Sequence, residues 1–294
     1  MSELELRQTT IDAEIAHAPA SPRGRRLRLP RAGTILAGAF VLFLLVATAF
    51  PALLETQDPN QIAPSEAFES PSLAHWFGTD ESGRDIYSRV VEGTGTSLLI
   101  GVTATFIGLA LGLVLGVLAG FGGRVVDYGV NRLVEVLFAF PGLLLALLEI
   151  VVYGPGPVTA TIAVGLSTAP GYARIIRGQF VAIRSSQYVE AARVLGHARG
   201  GIIVRHVLPN ALIPIFVLAT LGIGQAIVWA AALSYLGLGA QPPAPEWGAM
   251  LAAGRTYLSV AWWMTVFPGL MIVGTTISTT VLGRALARRG RGDV

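Results

Sequence analysis

Apolar residues fall in long runs separated by short polar stretches, and these runs predict membrane-spanning helices. The first covers 33–54, about 22 residues, which is long enough to cross a bilayer core and too long for the apolar heart of a cleavable leader. Further runs near 94–121, 132–152, 157–175, 208–236 and 261–284 bring the expectation to six transmembrane helices in an all-α, polytopic membrane protein. Within the second run, Gly108, Gly112, Gly116 and Gly120 recur at every fourth position and line one helix face. Small residues at that spacing let helix backbones approach closely in lipid, against another helix of this chain or against a partner. Pro141, Pro170, Pro209 and Pro214 fall in or beside the later runs and predict bends there.

Between the runs, the polar stretches divide by charge. The chain has 53% hydrophobic and 13% charged residues, about half the charged share of a soluble domain, so lipid must solvate much of its surface. It has no lysine, and its 21 basic residues are all arginine. With the N-terminus inside, eighteen arginines fall on cytoplasmic segments, and only Arg84, Arg89 and Arg255 fall outside. That bias follows the positive-inside rule and places both termini in the cytoplasm. The expected layout is a cytoplasmic tail at 1–32, a first helix at 33–54 and an acidic extracytoplasmic loop at 55–92. A five-helix core at 93–286 and a cytoplasmic tail at 287–294 complete it.

Composition also excludes chemistry. Without cysteine there is no disulfide, thiolate metal site or cysteine nucleophile, and without lysine there is no Walker A loop. His17, His75, His197 and His206 are scattered and form no metal-binding pattern. Catalytic residues, a resident cofactor, a metal site and nucleic-acid binding are not expected; a cytoplasmic membrane face explains the basic stretches better. A membrane-embedded enzyme would need paired carboxylates, a histidine metal site or a Ser–Lys dyad, and the sequence has no such set.

One cytoplasmic segment, about 185–196, is too short and too polar to span. Tyr188, Ala191, Ala192 and Leu195 fall at i, i+3, i+4 and i+7, an amphipathic helical stripe. Ser186 is placed to cap its start and Gly196 to end it in the left-handed conformation, while Glu190 and Arg193 take the other side. Such a helix can lie on lipid or dock in a protein groove; two alanines, rather than bulky residues, favour the groove.

Glu190-Ala191-Ala192, Gly196, and Leu208-Pro209 after the appropriate gap resemble the EAA loop of ATP-binding-cassette (ABC) importer permeases. The run Arg205-His206-Val207-Leu208-Pro209-Asn210 is similar to the dipeptide/oligopeptide subgroup. So is Gly78-Thr79-Asp80-Glu81-Ser82-Gly83-Arg84-Asp85 in the outer loop, which resembles a signature of its second permease subunit. Ala139-Phe140-Pro141, Gln241-Pro242-Pro243, Glu246-Trp247-Gly248 and Phe267-Pro268-Gly269 extend the resemblance in order from about residue 33 to the end. The tail departs from it, with Arg284 and further arginines after Leu282-Gly283 where an acidic residue is usual.

The resemblance implies a type I ABC importer fold with the coupling helix between helices four and five. It implies a second permease, one or two ATPase subunits holding ATP and Mg, an extracytoplasmic binding protein, and peptide cargo crossing a bacterial cytoplasmic membrane. Tyr188, Glu190, Ala191, Ala192, Arg193, Gly196, Arg205, His206, Leu208 and Pro209 become the expected coupling residues. Nickel chelates or glutathione are alternative cargoes, and an ATP-independent transporter is the remaining rival. Gln225, Ser167 and Thr168 are polar groups within apolar runs, which fits either a translocation path or helix packing. Glu149, a carboxylate in another such run, either serves the path or reaches the outer interface.

Overall fold

The computed structural model describes residues 32–196, 199–202, 205 and 208–290. Among them the secondary structure is helical; a single backbone bridge joins Thr79 and Asp85, and there are no strands. The α-helices are α1 (Ala32–Ala49), α2 (Ile86–Phe121), α3 (Gly123–Phe138), α4 (Gly142–Tyr153) and α5 (Pro157–Arg184). They continue with α6 (Gln187–Val194), α7 (Arg199–Ile202), α8 (Leu208–Tyr235), α9 (Trp247–Gly254) and α10 (Trp263–Gly290).

Among the described residues, four helices are long and apolar enough to cross a membrane: α1, α2, the Pro214–Tyr235 part of α8, and α10 as far as Arg288. The α3–α4 pair makes a fifth if taken as one span bent by 88°. Helix α5 has 28 residues, about 42 Å at 1.5 Å per residue, but its alanines, glycines and hydroxyls dilute its apolarity. It is packed by protein along much of its length, so it needs less apolar surface than a lipid-facing helix. Exposed Leu36, Phe106 and Leu270 show the opposite case, large apolar side chains directed outward from α1, α2 and α10.

Several boundaries differ from the apolar runs. The run 132–152 is not one helix: α3 begins at Gly123, and the chain breaks at Ala139–Pro141 before α4. Proline disfavours helical geometry at Phe140, and it supplies no backbone donor. Helix α1 stops at Ala49 for the same reason, two residues before Pro51. Helix α2 begins at Ile86, earlier than its apolar run, because Asp85 caps it and its polar first turns are satisfied by the preceding loop.

Helix α5 is central: it runs along α2 and also packs on α4 and α8, while α10 carries α1 and α9. The glycine stripe of α2 is the seam with α5. A methyl group on Gly112 would lie 2.5 Å from Tyr172 Cβ, one on Gly116 2.8 Å from Ile176 Cγ2, and one on Gly120 3.1 Å from Phe180 Cβ. Of the two readings of that stripe, packing within this chain is the one observed.

Candidate functional site

At one end of the bundle the segment 55–85 folds back on α2. Gly78 and Gly83 both have positive φ (77° and 75°), which permits the tight reversals around Thr79–Asp80. The Asp80 carboxylate accepts from Ser82 N (2.8 Å), Arg84 N (3.0 Å) and Arg84 Nε (2.8 Å). Asp85 accepts from Ser88 N and Ser88 Oγ, both at 2.8 Å, and lies 3.0 Å from His75 Nδ1. Arg89 ties three segments together, donating to Pro59 O (3.2 Å) and Pro243 O (2.6 Å) beside Asp80. Trp263 Nε1 donates to Thr79 O at 3.0 Å.

Thr79, Asp80, Arg84 and Asp85 are therefore buried and engaged within the chain. The signature Gly78, Thr79, Asp80, Gly83, Arg84 and Asp85 shapes this end rather than presenting side chains to a partner. Leu73 and Trp76 nearby are exposed. On the adjoining loop Glu246 caps α9 by accepting from Gly248 N and Ala249 N, both at 2.8 Å. Burial pushes its carboxyl up from the ordinary range, and the two N–H donors pull the other way without cancelling it.

At the opposite end α6 follows α5 after a two-residue turn. Its apolar positions do not make one stripe. Val189 and Ala192, three residues apart, are buried against Ile176 and Phe180 of α5, Ile202 of α7 and Ala211 of α8. Glu190, Ala191, Val194 and Leu195 are exposed, Val194 by 83% and Leu195 by 76%. The expected grouping of Ala191, Ala192 and Leu195 is thus split, because the alanine pair straddles the boundary between the two faces.

Ser186 Oγ does not cap α6: it donates to Ile183 O, closing α5, while its backbone carbonyl accepts from Val189 N and Glu190 N. Gly196 has φ +81°, the left-handed turn expected after the helix, and nothing lies near its missing Cβ. Its constraint is conformational, not steric. Arg205 is exposed, and Leu208 and Pro209 open α8. His206, the tail 1–31 and residues 291–294 lie outside the described residues, as do the side chains of Tyr188, Arg193, Leu208 and Pro209.

Between the two ends, α3, α4, α5 and α8 line an open, largely apolar cavity of about 300 Å³. It brings together three of the four expected path residues: Ser167, Thr168 and Gln225, beside Phe138, Tyr172 and Trp229. The Ser167 and Thr168 hydroxyls donate to Val164 O (3.0 Å) and Gly165 O (2.9 Å), which leaves oxygen lone pairs for the cavity. Pro170 also lines it; lacking an N–H, it leaves the Leu166 carbonyl without its usual helical donor. Glu149 is not part of this wall. It sits on α4, with Oε2 buried and without a hydrogen-bond partner.

This arrangement offers a largely apolar hollow beside the α3–α4 break, joined by α5 to a short helix at one end. A family model described as "Binding-protein-dependent transport system inner membrane component" matches residues 112–292. The chain belongs to this family of importer permeases. It is 38% identical over 262 residues to "Dipeptide transport system permease protein DppC" of Alkalihalophilus pseudofirmus, covering 89% of this chain and 85% of that one. It is 39% identical over 250 residues to "Probable D,D-dipeptide transport system permease protein DdpC" of Escherichia coli K12, covering 85% and 84%. "Glutathione transport system permease protein GsiD" of Pectobacterium atrosepticum is 41% identical over 254 residues, covering 86% and 84%.

Among solved structures, the inward-facing MetNI methionine ABC transporter matches with a TM-score of 0.51 at 21% identity, over 67% of this chain and 95% of that one. That likeness shows the fold alone, that of a type I ABC importer permease. The permease is thus a multi-pass inner-membrane component, a translocation subunit rather than a catalytic one. The sequence reading missed Arg89 and Trp229. The only signal for Arg89 was its place among few arginines on an otherwise acidic stretch, and Trp229 had none.

Proposed function

We propose that this permease forms part of the membrane channel of an ATP-driven importer for dipeptides and short oligopeptides. A binding protein outside the membrane delivers the cargo, a second homologous permease completes the channel, and one or two partner subunits hold ATP and Mg. Both termini face the cytoplasm, in keeping with the arginine distribution, and 55–92 and 240–258 face the binding protein. The observation that carries the reading is α6, a short helix at the end of α5 with Glu190, Ala191, Val194 and Leu195 exposed. An exposed apolar edge on so short a helix fits a groove in a soluble ATPase subunit.

ATP-driven closure of the ATPase pair then displaces α6, and the helices above it move as rigid bodies. The Ser167, Thr168 and Gln225 side chains offer hydrogen bonds to peptide groups crossing the cavity, while its apolar wall tolerates varied side chains. The dipeptide-named relatives support the cargo. The glutathione-named relatives, of similar identity, favour a second reading in which the peptide is γ-linked. Purified complex in proteoliposomes, supplied with the binding protein, separates the two. Competition of labelled dialanine uptake by unlabelled α-linked dipeptides but not by glutathione supports the first reading. The reverse order supports the second.

A further inference from the structure

Three arginines of α5 share one face. Arg174, Arg177 and Arg184 fall at i, i+3 and i+10, and each grips an element other than its own. Arg177 makes a two-pronged ion pair with Asp127 of α3, Nε to Oδ1 at 2.6 Å and Nη2 to Oδ2 at 2.7 Å. Asn131 Nδ2 holds the same carboxylate at 2.6 Å. The Arg174 guanidinium lies over the Phe138 ring, 4.1 Å from its centre. Arg184 Nη1 donates to Gly120 O, 3.3 Å away at the end of α2, where a helix leaves its carbonyls unpaired. Membrane topology accounts for the sign of these charges; it does not account for their pairing.

The positions of the gripped groups matter. Phe138 is the last residue of α3 and a wall of the cavity, and the chain breaks immediately after it. Helix α5 supplies another wall, then runs without interruption to Arg184, two residues before α6. An arginine–carboxylate fork fixes orientation as well as distance. The Asp127–Arg177 pair is about one-third exposed, so it contributes little to folding; its effect is to fix geometry.

We infer that Arg177 with Asp127, assisted by Arg174 on Phe138, is a positioning clamp. It makes α3 follow α5, so that a displacement of α6 moves the Phe138 wall of the cavity. The inference rests on the importer reading above and deepens it: the clamp sets how much transport each ATP yields.

The test uses the full complex in proteoliposomes, with ATP hydrolysis and dipeptide uptake measured together. Arg177→Ala and Asp127→Ala should raise ATP consumed per peptide at least about tenfold at normal complex yield. The exchange D127R/R177D should restore most of the ratio, and Arg177→Lys, which keeps charge but loses the fork, should fall between. If the alanine variants fail to assemble, R177K and the exchange variant carry the same comparison.

A second readout is independent of transport. The chain has no native cysteine, so spin labels at V125C on α3 and V181C on α5 report one distance cleanly. That distance should stay fixed on ATP binding in the native background and broaden with Arg177→Ala. A native ratio in R177A, or a distance indifferent to the substitution, overturns the clamp. Absence of ATP-dependent uptake in the unmodified complex would instead overturn the importer reading, while the spin-label result would still decide the clamp.

Discussion

Gly112→Ala adds one methyl group at the centre of the α2–α5 seam. That methyl would sit 2.5 Å from Tyr172 Cβ, 3.0 Å from Ala173 N and 3.1 Å from Ala169 O. Ordinary carbon contacts begin near 3.5–4.0 Å, so α5 must withdraw by about 1 Å. Two of the three atoms are backbone and cannot rotate aside. Overpacking of this kind costs about 1–3 kcal/mol, offset by up to about 1 kcal/mol from alanine's better helix propensity. With the full offset the expected net cost is about 0–2 kcal/mol, and the gap from a variant that gains only the propensity is about 1–3 kcal/mol. Gly129→Ala on α3 is the control, because nothing lies within 4 Å of its missing Cβ. Scanning fluorimetry of the purified permease should give a lower melting midpoint for G112A than for G129A, with G129A at or above the parent. Equal midpoints for the two variants would refute the close-packed seam.

Asp85→Ala removes the cap of α2 and leaves His75 without its 3.0 Å partner, at a cost of about 2–4 kcal/mol. Limited proteolysis should then cut the 55–85 segment faster while the helices stay resistant. Val194→Asp puts a charge on the exposed edge of α6 without touching its buried face; the permease should accumulate normally and lose the ATPase subunit on affinity purification. Gly196→Trp forces a side chain into a positive-φ turn and should leave a membrane-inserted protein whose uptake is lost, read as labelled dipeptide accumulation against immunoblot level.

Apolar runs matched four of the six expected spans, α1, α2, α8 and α10, because lipid imposes length and apolarity on each one separately; the run 132–152 is broken between α3 and α4, and α5 falls short of that apolarity. The helix breaks were less legible. Pro141 signalled a bend, but the 88° turn also needs Gly142, where a methyl group would lie 2.9 Å from Trp229 Cζ3, a contact 87 residues away in sequence. Helix α3 begins at Gly123 because Asp127 and Asn131, which read as a polar connection, are satisfied on α5 and within α3.

The outer signature was recognisable as a motif, yet its burial was not, since Asp80 and Arg84 look like surface charges until paired at 2.8 Å. Ser167, Thr168 and Gln225 were legible as polar residues out of place, and the fold brings them to one cavity. Glu149 carried the same signal and lies elsewhere on α4. Periodicity pointed to a short helix within 185–196, where α6 spans Gln187–Val194, but its stripe did not say which alanine faces inward, because that depends on Ile176 and Phe180 of α5.

The central claim is that this permease moves peptide by taking motion from a separate ATPase through α6. Cysteine cross-linking tests it directly, using V194C as the only cysteine of the permease and single cysteines along the groove of the co-purified ATPase subunit. Cross-links that form at V194C, change position on ATP binding and block dipeptide uptake until reduced are the predicted result. No cross-link to the ATPase, or full ATP-driven uptake with V194C cross-linked, would contradict the account.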